Sequence, residues 1–167
     1  MTVHTTYDSP LGALLLVGEE SAGGVTLTRL TVPGRRTAPA AGAGPRRDER
    51  AFAAVTRRLD AYFAGRLTRF EVPLAPEGTP FQQRVWRALD DIPYGTTTTY
   101  GALAGRLGVP RAEIRALGAA VGANPLLIVR PCHRVIGSDG SMRGYAAGVE
   151  RKVRLLTHEG ALQPMLG

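Results

Sequence analysis

The sequence contains little cysteine, little lysine and no long apolar run, and each shortage excludes a class of structure or site. Cys132 is its single cysteine, so the chain forms no internal disulfide and no zinc site built from several thiolates. No apolar stretch approaches the roughly 20 residues that a membrane-spanning helix needs, and residues 1–4 lack the basic start of a signal peptide. We therefore expect a cytoplasmic protein with a free thiol, no bound metal and no membrane contact.

Positive charge is in excess and is carried almost wholly by arginine. The 167 residues include 21 Lys+Arg against 14 Asp+Glu, a formal net charge of +7, and Lys152 is the only lysine. Residues 1–77 contain ten basic and eight acidic side chains, whereas residues 78–167 contain eleven and six. A GC-rich genome explains the preference for arginine over lysine, but it does not explain the net charge. The uneven excess predicts a polyanionic partner for the second half of the chain.

The first half of the chain alternates short apolar runs with turn residues. Residues 2–7, 13–18 and 25–32 predict three strands. The segment 33–47 is rich in Pro, Gly, Ala and Arg without periodicity, which predicts a mobile loop. Apolar residues at helical spacing then predict a helix over 48–64, and one more strand is expected over 70–74. We expect residues 1–77 to form a small domain built on an antiparallel sheet.

The next segment predicts three short helices. Thr79 and Pro80 suit the start of the first, which stops at residues 93–95. Thr98 is expected to cap the second, and the third extends over about 109–122. Two short helices joined by a tight turn that contains glycine are typical of a helix-turn-helix.

The end of the chain carries the cysteine. An apolar run over 126–129 predicts an extended segment that leads to Cys132, and a last helix is expected over 148–158. We therefore expect a mainly helical domain over residues 78–160, followed by a tail at 161–167.

Cys132 lies among basic residues, which favours a chemical role for this thiol. Cations such as Arg130, His133 and Arg134 lower the pKa of a neighbouring thiol, and His133 can also remove the thiol proton. Successive side chains of an extended segment point to opposite faces, so a contact between Cys132 and His133 requires a bend or an intervening water. Glu159 can orient His133 from the last helix, although spacing alone favours a solvated residue there. A buried, inert cysteine is the alternative.

The segment Pro131-Cys132-His133-Arg134-Val135-Ile136-Gly137 resembles the active-site motif of the O6-alkylguanine-DNA alkyltransferases. Any one block of such a resemblance is weak, but an ordered set is specific. Over residues 79–160 the further blocks are Phe81-Gln82-Gln83-Arg84-Val85-Trp86, Ile92-Pro93-Tyr94-Gly95, Thr99-Tyr100-Gly101, Arg115-Ala116-Leu117-Gly118, Asn124-Pro125, Gly144-Tyr145 and Leu155-Leu156-Thr157-His158-Glu159-Gly160. The first half resembles the family's variable sheet domain through Ser9-Pro10-Leu11-Gly12 and Leu59-Asp60-Ala61-Tyr62-Phe63-Ala64-Gly65.

The resemblance implies an α+β protein. It implies a small N-terminal antiparallel-sheet domain of ribonuclease H-like type and a mainly helical C-terminal domain with a winged-helix-like helix-turn-helix. It further implies a DNA repair protein that binds double-stranded DNA through the minor groove and flips O6-alkylguanine, and also O4-alkylthymine, out of the duplex. The alkyl group then passes irreversibly to Cys132, once per molecule. No cofactor and no structural zinc are implied. A monomer in solution is expected, with clustering on DNA left open.

The resemblance also assigns roles to single residues. Cys132 is the nucleophile, His133 and Glu159 activate it, and Asn124 holds the turn before it. Tyr100 helps to rotate the nucleotide and binds the flipped base. The remaining assignments are the backbone carbonyls of Cys132 and Val135 together with Tyr145 and Ala146 for the base, Arg115 as the finger that fills the vacated stack, and the small residues Ala116, Ala119 and Ala120 for close approach to the groove.

Three positions depart from the family's pattern. Arg130 stands where an apolar residue is usual, Ala147 lies in a turn that is usually richer in glycine, and Leu117 replaces a valine. Arg130 and Ala147 leave open which alkyl groups on guanine the protein accepts. The alternatives are a non-enzymatic protein that recognises alkylguanine, a regulator with a cysteine-rich extension, and a thiol protease. The presence of Cys132 favours alkyl transfer, because the non-enzymatic relatives replace that cysteine.

Overall fold

The computed structural model describes residues 1–33, 46–142 and 144–162, and the chain divides into two compact units between Glu77 and Gly78. A sheet with the strand order β3-β2-β1-β4 forms the basis of the first unit. Its strands are β1 (Thr2–Ser9), β2 (Gly12–Ser21), β3 (Gly24–Thr31) and β4 (Arg46–Arg47). The three long strands pair antiparallel, as predicted, whereas the short β4 pairs parallel with β1. The sheet is therefore mixed.

The first unit also contains helix α1 (Ala53–Phe63), which begins later than predicted because Arg50–Phe52 form a 3-10 turn. The strand predicted over 70–74 is wrong. Only Leu74 forms a bridge, with Leu27, and Pro73 accepts a hydrogen bond from Leu27 but has no amide hydrogen to donate. Most of the loop predicted over 33–47 lies outside the described residues, and its last two residues form β4.

Four helices dominate the second unit, so the expected α+β architecture is confirmed. They are α2 (Pro80–Leu89), α3 (Tyr100–Leu107), α4 (Ile114–Gly122) and α5 (Val149–His158), and a two-residue parallel ladder joins β5 (Thr98–Thr99) to β6 (Val135–Ile136). Trp86 is the largest buried side chain, and its indole N–H donates to the carbonyl of Ala120 at 2.8 Å. This bond fixes α2 against α4. Within the described part of the chain, no helix is long and apolar enough to cross a membrane.

Local side-chain chemistry sets the ends of these helices. Thr79 accepts from the amide of Gln82, and the Gln82 side chain accepts from the amide of Thr79, a capping box at the start of α2. The residue that caps α3 is Thr99 rather than the predicted Thr98: its hydroxyl accepts from the amide of Ala102 at 3.0 Å. The predicted third helix is also shorter than expected, because Arg111–Glu113 form a 3-10 turn before α4 begins.

We expect Thr99→Ala to lower the free energy of unfolding by about 1 kcal/mol, because the first turn of α3 loses its cap. Thr99→Ser keeps an accepting hydroxyl and should retain most of the stability. Urea titration of both variants measures the difference. Thr98→Ala is the matched control, and an equal loss in Thr98→Ala would contradict the assignment of the cap to Thr99.

Candidate active site

Asn124 shapes the segment that leads to the cysteine. Its side-chain amide donates to the carbonyls of Leu126 (3.3 Å) and Arg130 (2.8 Å), and its side-chain oxygen accepts from the amide of Leu126 (3.0 Å). These bonds fold residues 126–130 into turns, so the predicted extended segment is wrong. Ile128 has a φ of 72°, a left-handed conformation that is rare and strained for a β-branched residue. The turn is therefore held together by its hydrogen bonds rather than by local preference.

Cys132 lies at the start of a 3-10 turn, Cys132–Arg134, and only 5% of its surface is exposed. The turn supplies the bend that a contact between adjacent cysteine and histidine side chains requires. Burial raises the pKa of the thiol to about 11, against opposing effects from a hydrogen bond with Asn124 and the charge of Lys152. The expectation that basic neighbours lower this pKa is therefore wrong. Arg134 is engaged by Glu159, so its charge is largely neutralised by a carboxylate.

His133 and Arg134 both bind the carboxylate of Glu159, the residue that caps the C-terminus of α5. His133 Nε2 lies 2.8 Å from Glu159 Oε2, and Arg134 donates to Oε1 from Nε at 2.8 Å and to Oε2 from Nη2 at 3.0 Å. All three residues are buried. The solvated position that spacing favoured for Glu159 is therefore wrong, and the carboxylate is held as an acceptor by two donors.

This arrangement fixes the chemical state of His133. Burial lowers the pKa of its imidazole, in spite of the hydrogen bond that the ring donates to Glu159, so the ring is neutral near pH 7. Since Glu159 accepts at Nε2, the single proton of the neutral ring lies on Nε2. The lone pair then lies on Nδ1, which is buried and has no hydrogen-bond partner within the described chain. A ring nitrogen in this state is able to accept a proton.

Lys152 is a member of this cluster that sequence reasoning missed. Its side chain is buried, and its Nζ donates to the backbone carbonyl of Val135 at 2.6 Å. Burial lowers the pKa of the Lys152 ammonium, and the proximity of Cys132 acts in the opposite direction. The sequence does offer a sign of this burial. Lys152 lies three and four positions before Leu155 and Leu156, so the only lysine of the chain falls on the buried face of α5.

The predicted pocket residues differ in exposure. Tyr145 is buried, its ring centroid lies 6.3 Å from that of His133, and burial keeps the pKa of its phenol well above the usual value. Ala146 is exposed beside it. Tyr100 is half-buried at the start of α3, and a Cβ on Gly144 would lie 2.7 Å from its hydroxyl oxygen. Glycine at 144, with a φ of 89°, therefore allows Tyr100 its position.

An open groove of about 970 Å³ runs along the two helices of the predicted helix-turn-helix. Tyr100 on α3 and Arg115 on α4 both line it, together with Arg111 and Gly137. Ala116 and Ala119 are exposed, whereas Ala120 is only 3% exposed. The carbonyl of Ala120 accepts from the indole of Trp86 on α2, so of the three alanines Ala120 is the least accessible from the groove, and its contact with DNA stays a prediction.

Among the residues that the structure describes, no group of three or more His, Cys, Asp or Glu side chains is arranged to hold a metal ion. The buried side chains around Cys132 carry an imidazole, a guanidinium, a carboxylate, a phenol and an ammonium group.

Two family models together match almost the whole chain. The 6-O-methylguanine DNA methyltransferase ribonuclease-like domain matches residues 2–76, and the DNA binding domain of the same description matches residues 80–161. The chain is 46% identical over 159 residues to a methylated-DNA–protein-cysteine methyltransferase of Mycolicibacterium paratuberculosis, covering 95% of this chain and 93% of the relative. A relative of the same name from Methanosarcina acetivorans is 44% identical, and the match covers 95% and 98% of the two chains.

Solved structures show the same likeness. The crystal structure of Mycobacterium tuberculosis O6-methylguanine methyltransferase matches with a TM-score of 0.86 and 44% identity, over 98% of this chain and 96% of that one. The structure of Mycobacterium tuberculosis OGT in complex with DNA matches with a TM-score of 0.83 and 44% identity, over 95% and 92%.

We expect Glu159→Gln to destabilise the protein by about 3 kcal/mol, because Arg134 is left buried without a carboxylate. Thermal and urea denaturation measure the loss. Glu113→Gln removes an exposed carboxylate and should change stability by less than about 0.5 kcal/mol. If the two variants were equally stable, the Glu159 carboxylate would not hold the site together.

Proposed function

Because this chain belongs to the methylated-DNA–protein-cysteine methyltransferase family, we propose that Cys132 is the cysteine that receives the alkyl group. The protein is a DNA repair enzyme that binds DNA and transfers an alkyl group to a cysteine of its own chain. Cys132 is the only cysteine of the chain. The observation that carries the assignment is the buried Cys132–Arg134 turn, in which a thiol precedes a neutral histidine that is oriented by Glu159.

The proton of Cys132 moves first. Nδ1 of His133 carries the free lone pair and takes the proton, directly or through one water. The resulting imidazolium is stabilised by Glu159, whose carboxylate lies 2.8 Å from Nε2. Because burial raises the pKa of the thiol, the thiolate is scarce until this transfer occurs. Glu159 and Arg134 position the histidine and do not touch the substrate.

The thiolate then displaces guanine from the alkyl carbon. A bond forms between Sγ of Cys132 and that carbon, the bond from the carbon to guanine O6 breaks, and the electron pair leaves with the base. The proton that His133 took from Cys132 passes to the departing base, which returns His133 to its neutral form and balances the charge. Tyr145 is suited to hydrogen-bond O6, since its raised pKa keeps the phenol protonated. The product is a thioether, which no group of the site can hydrolyse, so each molecule acts once and needs no cofactor.

The damaged base has to leave the duplex to reach the thiol, because an atom in a stacked helix is not open to in-line attack. Tyr100, the backbone of Ala146, and the carbonyls of Cys132 and Val135 are the groups proposed to hold it. The Val135 carbonyl already accepts from Lys152 and retains a second lone pair for the amino group of the base. O4-alkylthymine presents the same alkyl–oxygen bond and is the second proposed substrate.

The proposed DNA surface is the groove along α3 and α4. Arg115 is exposed, lines this groove and carries the charge and planar shape that suit insertion into a base stack. Ala116 and Ala119 are exposed on the same helix and are small enough to allow a close approach to the minor groove. The excess of basic residues after residue 78 favours phosphate contact. A monomer suffices for this arrangement.

Incubation with a duplex that contains O6-methylguanine should add one methyl group per molecule to the peptide that carries Cys132. Mass spectrometry of the digested protein measures the addition. Cys132→Ser should bind the duplex without becoming methylated. Binding and intact folding of the wild-type protein with an unmodified Cys132 peptide would contradict the proposal.

Arg115→Ala should slow repair of a duplex about tenfold, because the space left by the flipped base is no longer filled. Reaction with the free base O6-alkylguanine should stay within about twofold of wild type, since no stack is involved. Arg154→Ala is the matched control, because it removes an exposed arginine of α5 that does not line the groove. Equal losses with duplex and free base would argue against the finger role.

A further inference from the structure

Two arginines flank the Cys132 turn, and both reach the same short segment, residues 90–92, which we name the α2 exit. Arg134 donates from Nη1 to the carbonyl of Ile92 at 2.6 Å. On the other side of the cysteine, Arg130 Nε lies 3.5 Å from Oδ1 of Asp90, the residue that caps the C-terminus of α2. The arginines before and after Cys132 in the sequence therefore both contact the α2 exit.

The backbone of Arg130 fixes the position of the Cys132 amide. Its carbonyl accepts from the side chain of Asn124 at 2.8 Å and from the amide of Cys132 at 2.8 Å. Its own amide donates to the carbonyl of Leu126 at 3.0 Å. A movement of Arg130 would therefore disturb both the Asn124 contact and the amide of the nucleophile.

The side chain of Arg130 depends on Asp90. Arg130 is 8% exposed, and its Nε and Nη1 are buried and make no hydrogen bond within residues 1–33, 46–142 and 144–162. At 3.5 Å the contact with Asp90 is an ion pair without a hydrogen bond, so at Nε only charge offsets the burial. The Arg130 side chain is 10% exposed and that of Asp90 is 39% exposed, so loss of the carboxylate leaves a nearly buried cation without its partner. Loss of the Asp90 charge should therefore displace the Arg130 side chain toward solvent.

We propose that Arg130 is a positioning residue for alkyl transfer: through Asp90 it fastens the Cys132 turn to the α2 exit, opposite the Arg134–Ile92 contact. The inference rests on the proposed role of Cys132. The segment that leads into the Cys132 turn needs such fastening, because its residue Ile128 holds a left-handed conformation that the backbone would otherwise relax. A thiol that has to meet an alkyl carbon in line loses rate when it is misplaced by a fraction of an ångström.

The test compares two neighbouring aspartates. Asp90→Asn strands the buried Arg130, and we expect the transfer rate constant at saturating duplex to fall about tenfold. Asp91→Asn is the matched control: Asp91 also pairs with an arginine at 3.5 Å, Arg106, but the two side chains are 66% and 50% exposed. This control should stay within about twofold of wild type. The Kd for the duplex should change by less than about twofold in both variants, since neither aspartate lines the DNA groove.

Removal of both charges separates positioning from simple loss of a contact. Arg130→Met combined with Asp90→Asn leaves no stranded charge, so its rate constant should lie between those of Asp90→Asn and wild type. Asp90→Glu, which keeps the carboxylate, should restore most of the rate. A purely structural pair would lower the melting temperature of Asp90→Asn and leave the rate constant of the folded protein at the wild-type value.

Each outcome is decisive. Equal rate constants for Asp90→Asn and Asp91→Asn, or a double variant with the wild-type rate constant, would overturn the positioning role. If Asp90→Asn does not fold, the double variant is compared with Asp91→Asn, and equal rates again overturn it. The wild-type protein is run in parallel, and absence of methyl transfer to its Cys132 would instead refute the proposed function.

Discussion

A carboxylate without access to solvent, that of Glu159, is the constraint on which the site depends. Such a group is tolerated only when donors occupy its oxygens, and here the donors are His133 and Arg134, from the turn that begins with Cys132. The last residues of α5 therefore have to close over that turn. Arg134 in addition donates to Ile92, so the end of α2 meets them at the same point. One charge requirement thus assembles three distant parts of the chain around the nucleophile and determines which nitrogen of the imidazole is free.

Burial of the thiol fits a cysteine that is used once. A thiolate exposed to the cell would be consumed by any electrophile or oxidant, and the protein would be lost without repairing DNA. Burial raises the pKa of Cys132 and keeps the thiol protonated at rest, while Asn124 and Lys152 moderate the effect. In the proposed mechanism the thiolate forms when His133 takes this proton. The single lysine of the chain has a place in this balance, beside the thiol and bonded to the Val135 carbonyl.

Local patterns predicted the helices and the long strands, because apolar periodicity and turn residues are properties of neighbouring positions. They failed where two neighbours were chemically equivalent or where the contact was distant. Nothing local distinguishes Thr98 from Thr99 as a cap; both pair with β6, and the cap is the one that directly precedes the first residue of α3, Thr99. A β-branched residue such as Ile128 gives no warning of a left-handed conformation. Local reasoning allowed Glu159 to orient His133, but its spacing favoured a solvated residue, and the family resemblance assigned it the contact.

The parallel ladder between β5 and β6 is two residues long, too short to leave a pattern in the sequence. It nevertheless joins the start of the helix-turn-helix to the strand that follows the Cys132 turn. Thr99 pairs with Ile136, and the next residue, Tyr100, is the first of α3. The helix-turn-helix therefore begins at a backbone position fixed to the strand that follows the Cys132 turn. The tyrosine proposed to hold the flipped base therefore starts a helix whose first residue follows a strand paired with the segment after Cys132. Its precision comes from backbone hydrogen bonds, which any residue other than proline can make, and that explains how so short a ladder can organise the site.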